Sequence, residues 1–117
     1  FLNYLSLFKR SDKDNWLDTL KFAWWDGSNS KWVIEIVETG TVGFGVHVSL
    51  AYDSTGAPTV VHRANGEVRF LRRDPDSGWQ PAEIVDSGYN CSLTYDATGT
   101  AYAAYSDSSY SQAMCAQ

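Results

Sequence analysis

Hydrophobic and polar residues alternate along most of this chain in short runs, and turn residues separate the runs. Ser49 to Asp53 is one such run, Thr59 to Arg63 a second, Glu67 to Arg73 a third and Trp79 to Val85 a fourth. Between them lie Asp53-Ser54-Thr55-Gly56, Asn65-Gly66 and Asp74-Pro75-Asp76-Ser77-Gly78, and Asp86-Ser87-Gly88 closes the set. A period of two places alternate side chains on opposite faces of a strand. Asn-Gly between two such runs is a strong hairpin signal, because the favoured two-residue turn needs positive φ at both positions. No segment sustains apolar spacing at three and four residues, so the pattern predicts four short strands and essentially no helix.

The set repeats. Ser49-Leu50-Ala51-Tyr52-Asp53-Ser54-Thr55-Gly56 returns 43 residues later as Ser92-Leu93-Thr94-Tyr95-Asp96-Ala97-Thr98-Gly99. Glu35-Ile36-Val37-Glu38-Thr39-Gly40 returns 48 residues later as Glu83-Ile84-Val85-Asp86-Ser87-Gly88. Leu20-Lys21-Phe22 matches Val68-Arg69-Phe70 at the same spacing, and Trp32 matches Trp79 at 47. One longer connection, Thr41 to Val48, accounts for the change in spacing. Three runs precede the complete set (Tyr4 to Lys9, Leu20 to Trp25, Trp32 to Val37), and three follow it (Ser92 to Asp96, Ala101 to Ser106, Ala113 to Ala116). Repeated units of four short strands in roughly 40–50 residues predict an all-β fold, a β-propeller with four-stranded antiparallel blades. The complete blade is expected at 49–91, with incomplete ones at 1–48 and 92–117, about two and a half blades in all. Propellers close with about four to eight blades. The chain is therefore expected to be a fragment, or to be completed by further blades from the same parent chain or from other copies, since a free stack would expose strand edges.

Composition narrows the partners. Hydrophobic residues make up 44% of the 117 and charged residues 20%, a globular balance. Aromatic residues reach 15%, which suits pleated surfaces. The net charge of −5 repels polyanions, so no nucleic-acid partner is expected. No apolar run approaches the roughly 20 residues of a membrane span. The apolar start, Phe1 to Phe8, is short and has no basic leader, so it is not read as a signal peptide. Cys91 and Cys115 either pair or are small buried residues, and Asn90-Cys91-Ser92 fits the glycosylation pattern.

Ser49 to Val60 and Leu20 to Gly27 resemble blade repeats of secreted bacterial β-propeller proteins, in the style of the sialidase-like, Asp-box group. The resemblance covers nearly all of the chain. It implies a propeller fold and an extracellular or cell-surface location, and it leaves activity open, because that scaffold carries enzymes, lectins and adhesive surfaces alike. The Asp-box itself resembles Ser/Thr-x-Asp-x-Gly-x-Thr-Trp between the third and fourth strands. Asp76-Ser77-Gly78-Trp79 lies in that place without the two residues before Trp, and Asp53 and Asp96 sit at another turn with one residue more before Gly.

No residue constellation in the chain forms a catalytic site. A sialidase-like enzyme needs an arginine cluster, a Tyr–Glu pair and an acid, and no local motif marks their positions. Tyr95 and Glu83 recur as Tyr52 and Glu35, and side chains repeated in successive blades are expected to be structural. His47 and His62 lack triad spacing. Asp74-x-Asp76-x-Gly78 has the opening spacing of a calcium loop but no distal Glu, and it reads as a hairpin turn. Calcium is thus the one cofactor the sequence raises. Gly40, Gly43 and Gly45 precede a strand, not a helix, so they form no phosphate loop. Arg69, Arg72 and Arg73, followed at once by Asp74 and Asp76, read as a solvated strand face.

The ligand-binding candidates are the residues that do not repeat. Trp16 lies in the connection Ser11 to Asp18, and Phe44 and His47 lie in the inserted loop. Trp24 and Trp25 correspond to Arg72 and Arg73, so adjacent blades differ in chemistry there, and Trp25 and Arg73 join the candidates. Alternation groups Leu20, Phe22 and Trp24 on one face and Lys21, Ala23 and Trp25 on the other. The expected function is recognition of a glycan or a protein by a secreted or surface propeller. The alternatives are the non-catalytic part of a propeller enzyme, such as a glycoside hydrolase, and a structural repeat array.

Overall fold

The computed structural model describes residues 3–9, 17–41, 46–107 and 113–116. Eleven strands form in these residues: β1 (Asn3–Lys9), β2 (Leu17–Asp26), β3 (Lys31–Thr41), β4 (Val46–Tyr52), β5 (Pro58–Ala64), β6 (Glu67–Asp74), β7 (Gly78–Trp79), β8 (Glu83–Ser87), β9 (Tyr89–Tyr95), β10 (Ala101–Ser106) and β11 (Ala113–Ala116). Every pairing is antiparallel. The described residues contain no helix, and hence none long and apolar enough to cross a membrane.

The strands form three sheets. Sheet 1 runs β1-β2-β3, sheet 2 runs β4-β5-β6-β7 with β8 also paired to β6, and sheet 3 runs β9-β10-β11. One expected strand, Trp79 to Val85, is in fact two short pieces on the same edge of β6. β7 pairs with its end at Arg73 and Asp74, and β8 pairs from Glu67 to Phe70. Pro81 has no N–H to give to a ladder, which accounts for a break at this point. The strand before the inserted loop is longer than its alternation suggested, since β3 continues to Thr41.

The turns form as their residues require. Asn65 (φ 53°) and Gly66 (φ 78°) are both left-handed, the geometry of the two-residue hairpin. Asp53 and Asp96 organise equivalent turns. Each Oδ1 accepts hydrogen bonds from the amide two residues on, the Thr hydroxyl of that residue, and the amide four residues on, all at 2.6–3.0 Å. The repeat in sequence is thus a repeat in backbone hydrogen bonding.

The sheets stack face to face. Val60 and Val61 are neighbours on β5, point to opposite faces, and are both fully buried, so sheet 2 is covered on both sides. Val60 and Leu71 pack with Leu20, Phe22 and Val37 of sheet 1. Val61 and Val68 pack with Cys91, Leu93, Ala103 and Tyr105 of sheet 3. Cys91 is a free, buried thiol that donates to the His47 carbonyl (2.9 Å), and burial pushes its pKa up to about 11.

Candidate functional site

The two layers between the sheets differ in polarity. Alternation places Leu20, Phe22 and Glu35 of sheet 1 toward sheet 2. The register of β2 and β3 slips by one residue, with Leu20 opposite Glu38 and Lys21 opposite Ile36. The extra residue, Val37, marks a bulge. It lets Val37 and Glu38 both reach sheet 2, Val37 into the apolar cluster and Glu38 onto His62 and Arg69.

Glu35 accepts four hydrogen bonds. Arg73 donates through Nε to Oε1 (2.7 Å) and through Nη2 to Oε2 (2.8 Å), a bidentate fork. The indole N–H groups of Trp24 (3.1 Å) and Trp79 (3.2 Å) donate to Oε2 and Oε1 respectively. Burial works to raise the Glu35 pKa, but the bonds from Arg73 and Trp24, the Arg73 charge and the Trp79 bond outweigh it, so the carboxyl lies below its ordinary value. Glu38 is held in the same way. Burial raises its pKa, and the bonds from His62 (2.8 Å) and Arg69 with their charges carry it below the ordinary value.

Beside the Glu35 cluster, a groove of about 540 Å³ opens between sheets 1 and 2. That volume lies within the roughly 300–1,000 Å³ range of small-ligand sites. Phe22 and Trp24 of β2 form one wall, residues 55–58 of the β4–β5 turn another, and Arg72, Arg73, Asp74 and Pro75 the third. Trp24 is half-buried, and the ring of Phe22 meets Trp79 edge-on at 5.3 Å. Arg72 Nε donates to Asp53 Oδ2 (2.7 Å) and its Nη2 to Thr55 Oγ1 (3.3 Å). Burial acts to raise the Asp53 pKa, but Thr55, Arg72 and the turn amides draw it down to about 2.

The residues singled out from sequence fall in different places. Arg73 lines the groove. Trp25 does not. It stands on the opposite face of sheet 1, edge-on to Trp32 at 5.5 Å. His47 is exposed at the start of β4, at the far end of the strands from the groove, and holds a left-handed backbone (φ 51°). Trp16 and Phe44 lie outside the described residues. Asp74 and Asp76 form a turn. Asp74 Oδ1 accepts the amides of Asp76 (2.8 Å) and Ser77 (3.1 Å), and no group of three or more His, Cys, Asp or Glu side chains is arranged to hold a metal among the described residues.

Trp24, which lines the groove, and Glu35, which holds Arg73 beside it, are not among the candidates singled out from sequence. Glu35 recurs as Glu83, yet Glu83 is exposed while Glu35 binds Arg73. The signal was the cation. Arg73 stands where the preceding unit has Trp25, and a charge that does not repeat calls for a partner that its repeat lacks. No family model, no curated protein and no solved structure matches this chain.

Proposed function

We propose that the chain is a section of a β-propeller that binds a glycan in the groove between its first two sheets. The groove carries this reading. It combines an aromatic wall, on which the apolar face of a sugar ring stacks, with a rim of charged donors and acceptors that suits hydroxyl groups. The propeller itself is supported by three antiparallel sheets packed face to face, each presenting its equivalent side in the same direction. In support of further sheets, the outward face of sheet 1 exposes Trp32, Ile34 and Ile36. The counterparts of Trp32 and Ile34 by repeat spacing, Trp79 and Ala82, pack against sheet 1, while Ile84, the counterpart of Ile36, is exposed. On this reading another sheet of the same kind covers Trp25, Trp32 and Ile34. The resemblance of Ser49 to Val60 and Leu20 to Gly27 to secreted blade repeats favours a location outside the cell or on its surface.

The test is binding of the full-length protein to immobilised glycans. Trp24→Ala is expected to weaken binding at least about tenfold, the scale of 1.4 kcal/mol, whereas Trp32→Ala, on the other face, leaves it unchanged. Loss of binding in Trp32→Ala with full binding in Trp24→Ala would overturn the groove assignment. Retained secondary structure by circular dichroism keeps the comparison one of binding.

A further inference from the structure

A single carboxylate behind the groove sets the side chains that line it. Glu35 stands outside the lining, and each of its oxygens accepts one bond from Arg73 and one from an indole. Oε1 takes Arg73 Nε and Trp79, and Oε2 takes Arg73 Nη2 and Trp24. Trp24 and Arg73 both line the groove. Trp79 meets Phe22 edge-on at 5.3 Å, and Phe22 lines it too. One anion therefore fixes groove side chains from two sheets. Glu83, the same position one unit on, is exposed and holds no such set. The groups facing Glu35 are Trp24 and Phe22 from β2, Arg73 from β6 and Trp79 from β7, and of these Arg73 alone is charged.

We infer that Glu35 is the positioning residue of the groove and that its protonation switches glycan binding off, an inference that rests on the glycan reading above. Arginine and tryptophan side chains that must be ordered at the moment of binding weaken affinity, and here the fork and the indole bonds order them beforehand. A proton on either oxygen sets an O–H against two N–H donors. That breaks one arm of the fork and loosens one indole. Burial acts to raise the Glu35 pKa, but the bonds from Arg73 and Trp24 prevail, and the group titrates below the ordinary 4.5. The binding form is the ionised one. Affinity is therefore complete above the ordinary value and is lost as pH falls through the lower folded one. Asp53 and Asp74 also titrate in acid, so the group responsible has to be identified by substitution.

The experiment measures affinity of the full-length protein for an uncharged oligosaccharide that binds in the immobilised-glycan assay, from neutrality down to about pH 3. Circular dichroism at each pH reports whether the strands persist. Wild-type affinity is expected to hold to about pH 5 and then to fall, approaching about tenfold per pH unit, before the strands melt. Glu35→Gln, whose amide nitrogen faces donors, is expected to weaken neutral-pH binding about fivefold or more and to flatten the acid fall. The wild-type profile needs no substitution, so it tests the proposal even if the variant does not fold. Affinity that stays constant until the strands melt, or an equal acid fall in Glu35→Gln, would overturn the positioning role and leave the groove standing. Absence of binding to any glycan would overturn both.

Discussion

The layer between sheets 1 and 2 and the layer between sheets 2 and 3 are built from the same repeat and hold together differently. The first surrounds its apolar centre with charges, since Glu35 and Glu38 reach from β3 to Arg73, Arg69 and His62. The second is a close-packed apolar layer linked by hydrogen bonds from neutral donors: Tyr95 hydroxyl to Thr59 (2.9 Å), Tyr105 hydroxyl to Asp86 (2.9 Å) and the Leu93 amide to Ser49 (3.1 Å). Its tightness shows at Gly88, where a Cβ would lie 2.7 Å from the Ser106 carbonyl and 2.8 Å from the Tyr105 ring. Bidentate ion pairs fix orientation but need room and water at their edges, and the groove opens beside one of them. The charged layer carries the site, although its apolar centre (Leu20, Phe22, Val60 and Leu71) is the more completely buried of the two.

Substitutions that break one layer at a time sharpen this contrast. The largest effect is expected from Leu93→Ala in the apolar layer between sheets 2 and 3, a loss of about 3 kcal/mol from lost burial and a residual cavity. Urea denaturation should show the loss unchanged by salt. Glu35→Ala is expected to cost about 2 kcal/mol, because it leaves the Arg73 guanidinium and two indole N–H groups without their acceptor. Unlike the first loss, it should shrink as salt rises. Gly88→Ala is expected to cost about 1–2 kcal/mol by overpacking, read from the shift in thermal midpoint.

The smallest expected effect is the charged layer's share of the pH dependence. Glu35 and Glu38 have folded pKa values below the 4.5 of an unperturbed Glu. The folded state therefore binds fewer protons there than the unfolded chain. Their stabilisation is complete above that value and is lost as pH falls through the lower folded values, with Asp53 extending the loss to about 2. Each group contributes under about 1 kcal/mol, since each is partly solvated. Glu35→Gln should flatten the fall in urea midpoint below about pH 5, while Leu93→Ala keeps the full slope.

Much of the sheet architecture was legible in the sequence, because period-two alternation and Asn-Gly or Asp-x-x-Gly turns act locally. β10 and β11 fall at their expected bounds, and Asp53 and Asp96 bind their turns alike. The break at Pro81 was missed because two stretches of strand on one edge of β6 read as a single alternating run. The site was less legible. Glu35 and Arg73 stand 38 residues apart in different sheets, and no local pattern links them. Repetition also misled, since the recurrence of Glu35 as Glu83 hid that, among the described residues, only the first meets an arginine. Asp74 was rightly read as a turn residue, and the structure adds that the same turn walls the groove.

The most direct test of this account is a double-mutant cycle between Glu35 and Arg73, with Glu35 and Tyr105 as the control pair. Face-to-face packing of sheets 1 and 2 predicts a coupling of about 1–3 kcal/mol for the first pair and additivity within about 0.5 kcal/mol for the second. Additive losses at Glu35 and Arg73 would contradict it.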